Sequence, residues 1–393
     1  MEIFIFIFNI IGFIILTYFA LSAIYLIIFA ISGHFYKNMK YPENIDKIRK
    51  IGILVPAYKE DNVIMGVAEY ALKQDYPNFE LVIIADSFKI ETLEKLKQLP
   101  LTLLEIENDK RTKANAINIA LSKLPTDYDI ILILDGDNII QENDFLSKIN
   151  KVFSTGRLIV QAHRTAKNFN TNFALLDAIS EEINNHIFRK GHRALGLSSA
   201  LIGSAMAFDY ELFKKYMKEI KTSGEDKELE FNFLKDGYYF EYLHDAIVLD
   251  EKTQKSDAFV KQRSRWLANQ FLQAQLHFFI SIKALFKGNI DFFDKALQHF
   301  LLPRILLLGT SFLLSFILLI INYQYAYLWL ICFFLILFSL IISVPKRFAN
   351  NKTLIAILSL PKGYFSMILS MLNMKGATKN FVVTEKNYNQ NNK

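Results

Sequence analysis

Asp135 and Asp137 stand two apart, with Gly136 between them, directly after the apolar run Ile130 to Leu134. The run is short, β-branched and bounded by turn residues, the pattern of a strand covered on both faces. Residues two apart at the end of a strand point the same way. The two carboxylates are therefore brought close together, and like charges at that range repel. A hard divalent cation between them removes the conflict. The alternative is an acidic turn in which Gly136 supplies the bend, and the rest of the chain decides between the two.

The elements that must position this pair are legible upstream. "IGILVPAY" (51–58) reads as a strand, "NVIMGVAEYALKQ" (62–74) as an amphipathic helix, and "FELVIIADS" (79–87) as a second strand. A charged helix follows at 89–98, then a strand at 101–107 and a helix at 113–124. Such alternation predicts an α/β domain with a largely parallel sheet covered by helices on both faces. Sheets of this kind bind ligands at the carboxyl ends of their strands. Pro56, Ala57, Tyr58 and Asp86 fall at such ends together with Asp135 and Asp137. No Gly-x-Gly-x-x-Gly and no Walker loop follows the first strand, which disfavours dinucleotide cofactors and P-loop chemistry.

Apolar residues make up 52% of the chain, with 35 Phe, while charged residues reach 21%. A membrane part joined to a water-facing domain fits both figures. The net charge of +6 suits a chain lying against an anionic leaflet and is too small to argue for nucleic acid. The single Cys332 lies in an apolar run, which excludes an intramolecular disulfide and a cysteine-based zinc site. Residues 3–31 carry no charge and suffice to cross a bilayer. They are too long for a signal peptide, and no basic residue precedes them. Two further spans are predicted at about 305–322 and 326–344. Lys37, Lys40, Arg304, Lys346, Arg347 and Lys352 flank the spans on the side the positive-inside rule assigns to the cytoplasm, leaving the N-terminus outside. The segment 353–373, interrupted by Pro361-Lys362-Gly363, reads as two interfacial helices, with a fourth span as the alternative. The expected organisation is a transmembrane helix (1–33), a cytoplasmic domain (48–255), interfacial helices (256–300), two transmembrane helices (301–345), and interfacial helices with a polar tail (346–393).

In order along the chain, eight segments resemble those of membrane-embedded family 2 glycosyltransferases of the cellulose synthase and hyaluronan synthase kind. "ILVPAYKED" resembles the opening nucleotide-binding segment, with Glu60 included and Lys59 where Asn is commoner; "VIIADS" supplies Asp86 for the base. "KANAINIAL" resembles the Lys-Gly-x-Ala-x-Asn-x-Ala segment, with Lys113 kept and Ala114 for Gly. "LDGD" resembles the metal-binding Asp-x-Asp, and "LIGSAMAF", with Gly203 and Ser204, the acceptor-site segment. "GEDKELEF" keeps the Glu-Asp of the Thr-Glu-Asp block, with Gly224 for Thr, and "QRSRW" is an intact Gln-x-x-Arg-Trp. "FVVTEK" matches the Phe-x-Val-Thr-x-Lys gating loop through Phe381, Val383, Thr384 and Lys386.

The resemblance implies a GT-A-like domain and an inverting hexosyl transfer from a nucleoside diphosphate sugar, a UDP-sugar, to a growing polysaccharide at the inner membrane. The metal, Mg2+ or Mn2+, falls to Asp135 and Asp137, and the donor to Pro56, Ala57, Tyr58, Glu60, Asp86, Lys113, Asp135 and Arg265. The acceptor falls to Gly203, Ser204, Glu225, Gln262 and Trp266, with Asp226 as catalytic base. Each assignment has an alternative. Acids at 225–230 also favour a helix N-terminus, Arg265 and Trp266 also suit an interfacial helix, and residues 381–386 also suit a frayed tail. His163, His186, His192 and His244 show no ligand spacing and read as surface or satisfied polar residues, with Arg164 a further pocket candidate. Transfer of one sugar to a lipid acceptor is the second reading, since three spans are few for a polymer channel. An inactive nucleotide-sugar binder is the third.

Overall fold

The computed structural model describes residues 2–41, 47–107, 112–220, 222–252 and 256–374. Runs buried on both faces must alternate with covering helices, and the first half of the chain does so. After the long helix α1 (Glu2–Ser32) come β1 (Ile51–Tyr58), α2 (Ile64–Ala71), β2 (Phe79–Asp86), α3 (Ile90–Leu96), β3 (Thr102–Ile106), α4 (Lys113–Lys123) and β4 (Ile130–Ile133). β5 (Ile139–Ile140), α5 (Phe145–Phe153), β6 (Ile159–Ala166) and α6 (Asn172–Asn184) follow, then a π-helical segment, Asn185–Gly191, that runs into the short α7 (His192–Ala194). β7 (Met206–Asp209), α8 (Tyr210–Met217), α9 (Glu225–Lys235) and β8 (Glu241–Asp250) complete the domain.

The strands form one mostly parallel sheet in the order β3-β2-β1-β4-β7-β6-β8-β5. β1 pairs in parallel with both β2 and β4, and β7 is antiparallel to its two neighbours. Successive side chains alternate between two cores, as a period of two demands. Ile53, Val55 and Leu132 face α2 and α5 on one side, while Leu54, Ile131 and Ile133 face α4, α8 and α9 on the other. Chain order reverses between β1 and β4, so their carboxyl ends open a crevice where such sheets take ligands.

The second half is helical: α10 (Ser256–Leu285), α11 (Ile290–Phe300), α12 (Arg304–Ile321), α13 (Tyr323–Ser343), α14 (Asn351–Ile357) and α15 (Leu360–Leu372). Three stretches, Asn9–Phe35, Arg304–Ile321 and Tyr323–Ser343, are long and apolar enough to cross a membrane. α14 and α15 meet at 50° and are a fourth crossing if they form one broken span. The break lies at Leu358 and Ser359, ahead of the expected Pro361-Lys362-Gly363. Pro361 sits in the first turn of α15, where its missing N–H costs nothing.

α1 reaches the domain through close backbone approach. A Cβ on Gly191 would lie 2.2 Å from the Phe29 carbonyl oxygen, so only glycine lets the π-helical segment meet α1 here. The Phe29 ring stacks on His192 at 3.8 Å, and His192 Nε2 lies 2.9 Å from the Tyr25 hydroxyl, which donates to Asp294 on α11. His192 is thus a buried docking residue, among the satisfied polar groups.

A buried ion cluster ties α9 to α11. The Glu230 carboxylate lies 3.2 Å from Lys295 and 3.4 Å from Lys227, with His299 at 3.8 Å, and it accepts from the Leu201 N–H at 2.8 Å. Burial raises its pKa, but the Lys227 and Lys295 charges outweigh that and hold it near about 2. A depressed carboxylate stabilises the fold above its unfolded pKa, and the contribution is lost as pH falls through the folded value. Glu230→Ala, which strands Lys295 in the core, should cost about 3–5 kcal/mol at pH 7. Urea unfolding in detergent micelles should show that loss. The variant should also lack the part of the wild type's stability that disappears between pH 4.5 and about 2.

Candidate active site

Strand register builds the acidic centre. Leu134 N donates to Leu54 O at 3.0 Å, which carries β4 on beside β1 and delivers Asp135 to the crevice. After the turn, Ile139 pairs with Leu249 in antiparallel register. One step back along that ladder, Asn138 faces Asp250, and Asn138 Nδ2 donates to Asp250 at 3.1 Å and to Asp137 at 3.2 Å. One carboxylate oxygen from each of Asp135, Asp137 and Asp250 therefore lies within 4.8 Å of the other two. Three hard oxygen donors at that spacing, with Asp137 fully buried, fit Mg2+ or Mn2+.

Cations line the same edge. Lys113, the first residue of α4, places Nζ 2.5 Å from Asp135 and donates to the Gly203 carbonyl at 2.6 Å, with Glu225 at 3.9 Å. Thr112 caps this helix by accepting from Asn115 N, which sets the position of Lys113. Arg164 on β6 bonds Glu181 at 2.9 Å and Ser204 Oγ at 3.1 Å, with Asp135 at 3.9 Å and Asp250 at 4.0 Å. Lys252 pairs with Asp250 at 2.8 Å and with Glu181. Burial lowers the pKa of Lys113, but Asp135 and Glu225 more than offset it and hold the ammonium charged. Burial works against Arg164 and Lys252 in the same way, and for both Asp250 and then Glu181 leave a net upward shift.

The loops at the strand ends explain Gly136 and one departure from family pattern, Lys59. Gly136 has no left-handed backbone. It is glycine because a Cβ there would meet Glu60 Oε2 at 1.8 Å and Ala57 Cβ at 2.9 Å, so the β1 loop lies directly on the Asp135–Asp137 turn. The bend expected of Gly136 is thus a matter of close approach. Lys59 adopts φ 55°, as Ser87 does at φ 58° after β2. Asn enters that region more readily than Lys, which accounts for Asn being commoner there. Asp86 is buried and accepts from Ser87 Oγ at 2.8 Å. Pro56, Ala57 and Tyr58 end β1 beside it, with Tyr58 paired to Asp86 in register.

Opposite, Gly203 (φ 85°) and Ala205 (φ 54°) form the tight turn before β7. Gln161, fully buried, shapes it by donating to the carbonyls of Ser204 and Ala205 and accepting from Ile202 N. A Cβ on Gly203 would sit 3.7 Å from Asp226 Oδ2, so the two residues face each other. Glu225 is buried, and burial, partly offset by Lys113 and reinforced by Asp226, pushes its pKa up to about 7. Gly224 replaces Thr because a Cβ would lie 2.8 Å from the Asn269 side chain of α10. That contact brings α10 against the start of α9, two turns beyond the half-buried Gln262 and one turn beyond the half-buried Arg265 and the exposed Trp266. Arg263 stacks over Trp266 at 4.5 Å and pairs with Asp177 on α6. Phe381, Val383, Thr384 and Lys386 lie outside the described residues.

Asp250, Glu181, Lys252 and Gln161 escape sequence reasoning. Asp250 carries a usable signal, an acid at the end of a predictable strand, but its meeting with Asp137 depends on the distant pairing of Ile139 with Leu249. Arg164, a weaker candidate, proves central.

The glycosyltransferase-like family 2 profile matches residues 49–269. A "Probable glycosyltransferase YdaM" of Bacillus subtilis is 23% identical over 256 residues, 59% of this chain and 58% of that protein. The chain thus matches less than two thirds of that relative's length. Among solved structures, the mannosyltransferase PcManGT from Pyrobaculum calidifontis, in complex with GDP-Man and Mn2+, superposes with a TM-score of 0.52 at 16% identity, covering 93% of this chain and 97% of that one. Glucosyl-3-phosphoglycerate synthase from Mycobacterium tuberculosis aligns over 60% of this chain and 87% of its own at a TM-score of 0.42 and 16% identity. The fold is GT-A-like, and with the profile covering more than half of its residues, the chain belongs to glycosyltransferase-like family 2.

Proposed function

We propose that this chain is a membrane-embedded inverting glycosyltransferase, moving one sugar from a nucleoside diphosphate sugar to a lipid acceptor at the cytoplasmic face. The observation that carries the transfer is the reach of Lys113, whose ammonium touches Asp135 on the donor edge and Gly203 and Glu225 on the acceptor wall. Donor diphosphate and acceptor hydroxyl therefore meet around one cation. A divalent ion held by Asp135, Asp137 and Asp250 supplies neutralisation of the charge that develops on the leaving diphosphate.

Asp226, facing Gly203, removes the acceptor proton as the new C–O bond forms at the anomeric carbon. The bond to the diphosphate breaks on the opposite face, which inverts the centre. Glu225, with its pKa near about 7, is the protonated neighbour below neutrality and leaves Asp226 as the proton acceptor. Asp86, with Pro56, Ala57, Tyr58 and Glu60, takes the nucleoside, and Lys113 and Arg265 hold the diphosphate. Gln262 and Trp266 receive the acceptor. Phe381, Val383, Thr384 and Lys386 are the proposed gate over the bound nucleotide.

The lipid acceptor is favoured over a growing polysaccharide by the membrane helices. Phe19 and Leu26 of α1, Leu307 of α12, and Trp329 and Ile336 of α13 join one apolar core. That seam supports anchoring rather than polymer passage. The intact Gln-x-x-Arg-Trp of α10 supports the polysaccharide reading. In both, the N-terminus faces out and the tail lies with the catalytic domain.

Incubation with UDP- and GDP-sugars, Mn2+ and a bacterial lipid extract should give a glycolipid carrying one added sugar. A ladder of soluble glycan would favour the polysaccharide reading instead. Asp226→Asn should lower turnover about a hundredfold or more with donor affinity little changed. Equal losses in both would make Asp226 structural. Asp250→Asn should weaken Mn2+ binding, read by electron paramagnetic resonance with nucleotide present, by at least about tenfold, the lower range for groups around a metal. Unchanged Mn2+ affinity would remove Asp250 from the site.

A further inference from the structure

Adjacent residues of α6 point to opposite sides of the domain. Glu181 reaches Arg164 beside the acidic triad, while Glu182 accepts from Thr165 and Arg347 and lies 3.1 Å from His163. Behind Glu182 is a cavity of about 670 Å³, separated from the triad by β6 and α6. Its walls come from the residues that follow α1 (Gly33, His34 and Tyr36 to Asn38), Glu182 of α6, the π-helical segment, His244 of β8, and the end of α13 with the residues after it (Ile342 to Lys346). It therefore sits where two of the apolar helices emerge toward the domain.

The lining is basic. Lys37, Lys190 and Lys346 contribute three ammonium groups, and His34, His186 and His244 three imidazoles. Among the described residues none of these lysines forms an ion pair. Glu182, the one acid in the wall, is already engaged by Arg347, Thr165 and His163. Lys190 donates instead to His244 Nε2 at 2.9 Å. His244 Nδ1 in turn meets His163 Nδ1 at 2.9 Å, and His163 Nε2 faces Glu182. Burial lowers the His244 pKa to about 3 and the His186 pKa to about 4, so both rings are neutral at pH 7; burial also lowers the Lys190 pKa, with the Glu182 charge acting against that. Ile31 in the last turn of α1, Phe35 just after that helix and Ile341 in the last turn of α13 are exposed apolar side chains.

We propose that this cavity binds the phosphate headgroup of an anionic phospholipid, with Lys37, Lys190 and Lys346 around the phosphate and the acyl chains lying along α1 and α13. A cationic pocket at helix ends where a bilayer meets water is the setting that selects such lipids, and the exposed apolar side chains on the last turns of α1 and α13 give the acyl chains a path that a free anion does not need. The site is distinct from the proposed acceptor site, which lies across α6. It rests on the reading of α1 and α13 as membrane spans, and it does not depend on the proposed activity.

The full chain, delipidated in neutral detergent, should be titrated with phosphatidylglycerol, phosphatidylcholine, glycerol 3-phosphate and inorganic phosphate. Thermal melting and native mass spectrometry provide the two readouts, neither of which uses transfer activity. Phosphatidylglycerol should raise the melting temperature by several degrees and remain bound as one or two copies, while the other three leave both readouts unchanged. Lys37→Gln with Lys346→Gln changes two exposed side chains and should fold normally, yet bind phosphatidylglycerol at least tenfold more weakly. Adding Lys190→Gln should abolish the shift. The control pair Lys352→Gln with Lys362→Gln removes equal charge outside the cavity and should bind as the wild type does. Equal loss in the control pair would reduce the effect to general surface attraction and overturn the site. Equal protection by glycerol 3-phosphate or inorganic phosphate would overturn the lipid assignment. Failure of phosphatidylglycerol to bind at all would overturn both, and would leave the glycosyl transfer untouched.

Discussion

Three carboxylates at the carboxyl edge of a buried sheet cannot stay ionised together without counter-charge, and much of the domain answers that constraint. Asp135, Asp137 and Asp250 converge because β4 ends beside β1 and because β5 pairs with the end of β8. Lys113, Arg164 and Lys252 stand around them, yet Glu181 and Glu225 add acid to the same edge. Acid exceeds base, and the site is left with an appetite for a hard cation. Lys113 and Arg164 hold Asp135 and its surroundings, and Lys113, with Arg265 as proposed, would turn to a diphosphate bound with that cation.

The same constraint links the site to the apolar helices. α6 carries Glu181 toward the triad, Glu182 toward the basic cavity and Asp177 toward Arg263 of α10. α1 locks onto the adjoining π-helical segment at Gly191. The proposed donor edge, the proposed acceptor helix and α1 thus converge on α6 and the π-helical segment that continues it.

Much of this was legible in the residues themselves. β1, β2 and β4 are continuous apolar runs ending in polar groups, and the parallel sheet follows from their alternation with helices. The closeness of Asp135 and Asp137 is legible because residues two apart at a strand end point the same way, whereas Lys113 is singled out only by the resemblance of its segment. Asp250 was not, because it reaches Asp137 only through the β5–β8 register, a tertiary fact. Gly136 and Gly224 looked like a bend and a departure from pattern. Both are set by what lies against them, Glu60 with Ala57 in one case and Asn269 in the other. The break before α15 fell ahead of Pro361 since proline is tolerated in a first helical turn. His163 and His244, without ligand spacing, proved to be partners of Lys190 and Glu182 across the fold.

The central claim is that the acidic triad is incomplete without a cation and a diphosphate. Crystals grown with Mn2+ and a nucleoside diphosphate, measured for anomalous scattering from manganese, test it most directly. The account predicts one dominant peak within about 2.5 Å of oxygens from Asp135, Asp137 and Asp250, with the diphosphate on its open side and Lys113 turned from Asp135 toward phosphate. Nucleotide bound in the crevice with no manganese peak at the triad would contradict it.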